Sequence, residues 1–518
     1  LAGKACGSEI TGFSQVLGEV VMSGFKSSRA RFLRALWLAG IVPAGIVAVA
    51  FFAGPIRAEE MPFAPGKFIP SYAIKYGGTQ GWPSAAEAAR FDLLIVSGSP
   101  AHAQVFASEA GNTWRTLEGL NPALRIYVYQ NGPALYDTSP WGQLGEGWEW
   151  ICREHGPDSP DRWLAIGIRF GGPLQGRPYP NERLMNLGNT RWQQYWLVQT
   201  WNKFWGGEKA PGKGTDGIFA DNCGYRMPWL GQWHLEGQPD KPDEPADYVR
   251  EGTYQGDLFK EHMNSFYDRA VPFLRERGLE LVLNFGYMAS APEFWEELDR
   301  QFPNVFAAME EGAFVHPWGT LGRQGNFVFH SEEAWLRQVN TLAQLKNVRA
   351  LMNVHGPVIS EAQDLRRMEA ADASGRQAWE ILWYALASFL QGYNDRIRNG
   401  AMNFTVWGYS RFYWLDEFDP KYLHLGRAVG AMERWEGTEG HIYAREFEDG
   451  WVVVNPTPKD ARQIRVPKGR ARLIGHAALK DPDSVPLVTE FDLPARTGRV
   501  LLREGRKLGN EDNGSLVP

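Results

Sequence analysis

The chain has 518 residues, 54 of them Lys or Arg and 60 Asp or Glu, for a formal net charge of −6. That mild acidity lacks the basic footprint of a nucleic-acid binder, and 44% hydrophobic against 22% charged residues excludes an intrinsically disordered chain. With 22 Trp, 18 Tyr and 28 Phe, the chain holds enough flat side chains both to fill a large core and to stack on sugar rings.

Lys26, Arg29, Arg31 and Arg34 precede an uncharged stretch, residues 35–54, and the small residue Ala58 stands before Glu59 and Glu60. A basic segment, an apolar segment and a small residue at the cut are the parts of an export signal. Residues 1–58 are therefore expected to be a leader, and the chain to be exported to the periplasm or beyond the cell. The 35–54 stretch is also long enough to span a bilayer, so retention as an uncleaved anchor stays open. Residues 1–21, ahead of Met22, are expected to have no structural role. Removing Cys6 with the leader would leave Cys152 and Cys223, which permit one disulfide or two buried thiols.

Short apolar runs rich in β-branched and aromatic residues predict strands at 68–76, 91–97, 124–130, 217–221, 279–285, 305–309, 348–354 and 401–407. Helical patterns fall between them at 191–205, 256–277, 292–300, 332–345 and 376–390. The last reads AWEILWYALASFL, apolar nearly all round, and should be well buried. Eight strands separated by helices or long excursions over residues 59–436 predict an α/β fold, a (β/α)8 TIM barrel. A doubly wound sheet competes, but the first strand runs into KYGGTQGWPS, which has no GxGxxG turn. Two excursions, 131–187 and 228–245, would lie on the catalytic face of a barrel. From 437 the texture changes to short alternating strands, with a turn at Glu448-Asp449-Gly450. Residues 437–504 are expected to form a small antiparallel, sandwich-like β domain, and 505–518 a frayed tail.

Candidate chemistry sits at strand ends, where a barrel builds its active face. The segment Asp216-Gly217-Ile218-Phe219-Ala220-Asp221-Asn222 is a short strand closed by a carboxylate and an amide. Asp221 lies at its C-terminal end and is the catalytic candidate, although Asp-Asn is also an ordinary turn start. Asp216 is nearer the other end, where a structural pairing is expected. A second strand, 305–309, runs into Glu310-Glu311-Gly312. Consecutive residues point to opposite sides of a strand, so only one of the two Glu can face the cleft. Hydrolysis of a glycosidic bond commonly uses two carboxyl groups, one protonating the leaving oxygen and the other attacking the sugar or activating water. Asp221 with Glu311 or Glu310 meets that need. Polar and aromatic groups for sugar hydroxyls and ring faces recur at neighbouring strand ends: Tyr127 and Tyr129, Asn222, Asn284 and Tyr287, Asn353 and His355, and Trp407 and Tyr409.

With these residues named, the region from about 68 to 409 resembles the glycoside-hydrolase-like TIM-barrel proteins of the glycosyl hydrolase-like family 15 type. The resemblance rests on the DGIFxDN-type strand (Asp216 to Asn222), on Glu311 with Gly312, and on LMNLGNTRWQQYW at 184–196. The segments 451–456 and Leu493-Pro494-Ala495-Arg496 are similar to the β domain that trails many such barrels. The resemblance implies a sugar-polymer hydrolase (EC 3.2.1.-) in which Asp221 on the fourth strand and a Glu on the sixth are the acids. Glu311 is preferred over Glu310 from its place before Gly312.

Other signals point nowhere useful. Gly207-x4-Gly212-Lys213 is followed by Gly214 where a phosphate loop needs Ser or Thr, and it runs from helix to strand, the reverse of the required order. There is no HExxH or HxH pattern and no GxSxG elbow. The glycosylation sequon Asn403-Phe404-Thr405 falls in a strand expected to be buried. The expected partner is a carbohydrate substrate. No cofactor, metal or nucleic acid is expected, and membrane contact is confined to an uncleaved anchor. A barrel that binds polysaccharide without cleaving it, or an exported protein-interaction module, are the other readings, since a fold does not set an activity.

Overall fold

The structure is a computed structural model and describes residues 67–75, 83–97, 114–140, 142–207, 210–316, 327–356, 371–372, 374–405, 409 and 411–509. The expected leader with Cys6 and the 35–54 anchor lies outside the described residues, as do Trp407 and residues 510–518 of the tail. Among the described residues no helix is long and apolar enough to cross a membrane.

Eight strands pair in parallel, in chain order: β1 (Tyr72–Lys75), β2 (Leu93–Ser97), β3 (Arg125–Asn131), β4 (Gly217–Asp221), β5 (Glu280–Asn284), β6 (Ala307–Glu310), β7 (Arg349–His355) and β8 (Gly400–Thr405). The first and last close the ring through a parallel bridge between Ser71 and Met402, whose N–H donates to the Pro70 carbonyl at 2.9 Å. This is the expected (β/α)8 barrel. β1 starts at Tyr72 rather than at the predicted 68, and Pro70, just before it, has no N–H to give a ladder.

Side chains alternate across this wall. Tyr72, Ile74, Leu93, Ile95, Tyr127, Phe219, Val282, Met309, Leu351 and Ala401 fill the interior, whereas Leu94, Val128, Ile218, Leu283, Ala308 and Met352 face outward and pack in the surrounding core. The alternation carries directly into the site. Residues two positions beyond an interior side chain also face the barrel axis, which puts Tyr129, Asp221, Asn284, Glu311 and Asn353 on the inner face at the C-terminal rim.

The helix Thr190–Trp205 is capped by Asn189, whose side chain accepts from the N–H groups of Arg191 and Trp192 at 2.9 and 3.1 Å. The helix Ala378–Gly392 is buried over most of its length, as its sequence predicts, because it lies between the barrel and the C-terminal sheet; Gln391 donates to the Val452 carbonyl at 2.9 Å. That sheet has six antiparallel strands and begins at Ala428, ahead of the expected boundary at 437; a separate pair, Ala461–Arg465 with Glu490–Leu493, lies beside it. The strands His441–Phe447 and Gly450–Asn455 pair around Glu448-Asp449, as expected of a hairpin.

The excursions fold into structure that no sequence pattern announced. Leu135–Asp137, Glu182–Leu184, Leu174–Gly176 and Trp233–Leu235 form a four-stranded antiparallel sheet. Each strand has three residues, too few for an alternation to be read. Cys152 and Cys223 are free thiols.

Candidate active site

Asp221 ends β4, partly exposed at the rim. Three donors hold its carboxyl: Tyr129 Oη at 2.7 Å on one oxygen, and Asn284 Nδ2 and the Asn222 N–H, both at 2.8 Å, on the other. The approach of β3 to β4 leaves no room behind it. Gly132 N–H donates to the Asp221 carbonyl at 2.8 Å, and a Cβ on Gly132 would lie 2.4 Å from that carbonyl and 2.5 Å from Cys223 Sγ.

Glu311 stands just beyond β6, and a chain of donors leads to it. Asn403 Nδ2 donates to Asn353 Oδ1 at 2.8 Å, Asn353 Nδ2 to Tyr409 Oη at 2.9 Å, and Tyr409 Oη to Glu311 Oε1 at 2.5 Å. Each donor in such a series polarises the next. His355 Nε2 lies 3.1 Å from Tyr409 Oη and 3.8 Å from Glu311 Oε1. Burial pushes His355 down to about 3, so the ring is neutral beside the acid.

The two acids meet at Asn284. Its Nδ2 donates to Asp221 Oδ1 at 2.8 Å and to Glu311 Oε2 at 3.1 Å. Laid end to end, those bonds limit the two bonded oxygens to a separation of about 6 Å, so the carboxyls face each other across one amide. Burial, followed by the charge of Glu311, pushes Asp221 up to about 6 against the pull of its three donors. Tyr129 suits both protonation states. Its hydroxyl is 2.7 Å from Asp221 and 2.9 Å from Asn131 Oδ1, so its one proton can serve either acceptor.

Three expected site residues lie elsewhere. Glu310 has the opposite parity to Glu311 and turns outward, where it is buried and accepts from the N–H groups of Met288 at 2.6 Å and Gly312 at 3.1 Å. Its carboxyl is thus held by backbone, and Asn284 joins Glu311 rather than Glu310 to Asp221. Tyr127 belongs to the closed end of the barrel: its hydroxyl donates to Glu280 at 2.6 Å, near the Arg125–Asp216 pair at 2.9 Å. It has the right parity but sits one pleat too low, and Tyr129 occupies the place expected of it. Tyr287 packs its ring under Arg226 at 5.0 Å and against Phe294. Asn353 and His355 are buried and act on Glu311 through Tyr409 rather than lining an open cleft. Asn222, Tyr287 and Tyr409 have φ of 52°, 67° and 49°, the left-handed region that side chains rarely adopt, a form of strain that gathers at functional sites.

The end of β3 and the two excursions add groups that the sequence did not single out. Asn131 Nδ2 donates to Glu182 Oε1 at 3.2 Å, and Trp229 Nε1 to Glu182 Oε2 at 2.8 Å. Burial, with a further push from Asp221, raises Glu182 to about 7. Asn131 could have been found by extending the alternation of Tyr127 and Tyr129 by one step; Glu182 carried no local signal.

A family model described as hypothetical glycosyl hydrolase family 15 matches residues 119–451. No curated protein matches the sequence. Among solved structures, the trehalulose synthase MutB of Pseudomonas mesoacidophila MX-45 is 8% identical, covering 85% of this chain and 100% of its own, with a TM-score of 0.41. A GH27 β-L-arabinopyranosidase of Geobacillus stearothermophilus is 10% identical over 86% of this chain and 98% of its own, with a TM-score of 0.40. Catalytic domain 2 of an Ostrinia furnacalis Group II chitinase is 10% identical over 62% of this chain and 75% of its own, at 0.29. These likenesses are too distant to bear on the chemistry.

Proposed function

The chain belongs to hypothetical glycosyl hydrolase family 15, and from that premise we propose that it hydrolyses O-glycosidic bonds of an oligo- or polysaccharide with Asp221 and Glu311. The observation that carries this reading is the single nitrogen of Asn284 shared by the two carboxyls. Asp221, held by three donors that favour its ionised form, is the nucleophile. Its oxygen attacks the anomeric carbon as the bond to the leaving oxygen breaks, and Glu311 gives that oxygen its proton. Glu311 then takes a proton from water, whose oxygen displaces Asp221 from the sugar. Two displacements at one carbon return the original configuration.

Incubating the protein with a panel of soluble polysaccharides and oligosaccharides, and measuring new reducing ends, tests the proposal. Release from at least one glycan, abolished in Asp221→Asn and in Glu311→Gln, is expected. Release from none, or undiminished release in either variant, overturns it.

We also propose export, supported by the basic segment Lys26 to Arg34, the apolar 35–54 and the small residue Ala58. Mass spectrometry of the native protein should find it outside the cytoplasm, either starting at Glu59 or still carrying 35–54. Recovery from the cytoplasm alone would sink this.

A further inference from the structure

Two aromatic side chains of the excursions, Tyr179 and Trp229, are linked to the acid pair through a series of contacts. Tyr179 is 43% exposed, so its ring is open to a ligand. Its ring centroid lies 5.1 Å from that of Trp229, at an interplanar angle of 42°. Trp229 is fixed from behind: its indole N–H is spent on Glu182, and its φ of 53° puts it in the left-handed region. Glu182 in turn is joined through Asn131 and Tyr129 to Asp221. Tyr179 therefore stands on a braced platform that leads to the nucleophile, and its hydroxyl is pushed up by burial and by the charges of Glu182, Glu311 and Asp221 together. Leu230, next to Trp229 in the chain, is 49% exposed.

We propose that Tyr179 and Trp229 form a sugar-stacking subsite bordering the acid pair, which binds a pyranose unit next to the bond that is cut. The proposal rests on the glycosidase reading for its choice of ligand. A pyranose offers an apolar face of C–H groups to a ring and hydroxyls to the acceptors around it, the match for an exposed aromatic beside carboxylates.

Affinity electrophoresis of the full chain tests it without requiring cleavage. The protein and its Asp221→Asn variant are run in gels containing β-glucan, xylan, glucomannan, chitosan or polygalacturonate. Retardation in at least one gel is expected. Tyr179→Ala should weaken that retardation about tenfold in dissociation constant, and Tyr179→Phe, which keeps the ring, should restore it. Tyr179 is exposed, so neither change disturbs folding, and thermal unfolding checks this. Retardation in no gel overturns the proposal, as does equal retardation in Tyr179→Ala, or a loss in Tyr179→Phe as large as in Tyr179→Ala. Retardation that depends on Tyr179 without hydrolysis would keep the subsite and remove the glycosidase reading. Hydrolysis indifferent to Tyr179 would do the reverse.

Discussion

Asp221 and Glu311, ninety positions apart in the chain, accept hydrogen bonds from one nitrogen, Asn284 Nδ2, at 2.8 and 3.1 Å. Two carboxyls held this close do not ionise independently, so they titrate as a pair. The pair can hold one proton and one charge at once, the state a double-displacement glycosidase needs before it meets its substrate.

Asp221→Asn and Glu311→Gln should each lower turnover by roughly a thousandfold or more, because each removes one of two displacement partners. The melting temperature should change little, since the amides keep most of the shape. Reducing-end assays paired with thermal unfolding separate loss of chemistry from loss of fold.

The acid limb of the kcat/KM profile should fall near pH 6. Asp221 attacks only when ionised, and burial is the largest of the causes that raise it to about 6; the pair reaches its one-proton, one-charge state as pH rises through that value, and activity is lost as pH falls below it. Asn284→Ala removes a donor that favours the ionised form, so it should move this limb to higher pH. Loss of a hydrogen bond to a charged group costs about 1.5–3 kcal/mol, which corresponds to roughly a 10–100-fold drop in kcat. A limb that stays in place in Asn284→Ala would disconnect Asn284 from the titration.

The first product should keep the anomeric configuration of the substrate. Proton NMR of the anomeric region during the first minutes of hydrolysis reads this before mutarotation blurs it. An inverted first product would mean that Asp221 and Glu311 move apart to admit a water between them.

Glu310→Gln should reduce activity only mildly while altering the pH dependence of stability. Burial raises Glu310 to about 7 in the folded chain, against about 4.3 when unfolded. Folding therefore binds its proton more tightly. The stability this contributes is complete below the unfolded value and is lost as pH rises through about 7. Asp221 and Glu182, raised to about 6 and about 7, act with the same sign. The melting temperature of the wild type should fall between roughly pH 4 and 7, and the fall should be shallower in Glu310→Gln. Identical slopes would show that Glu310 does not titrate in the folded chain.

Local patterning determined a great deal of this protein. Strand length and apolar runs placed all eight barrel strands, and AWEILWYALASFL, apolar nearly all round, declared its burial. The carboxylates at the ends of β4 and β6 were visible because a strand that stops in an acid differs sharply from its own interior. Tertiary structure decided the rest. Which of Glu310 and Glu311 faces the axis depends on the phase of the alternation, and that phase is set by which neighbours the whole wall packs against. Tyr127 and Tyr129 share a face, and only their height in the closed barrel separates a floor residue from a rim residue. The shared donor Asn284, the chain of amides behind Tyr409, and Glu182 on a three-residue strand are contacts between segments far apart in sequence. Hydrogen bonds of that kind leave no periodic trace, because each partner's position is set by a different part of the fold.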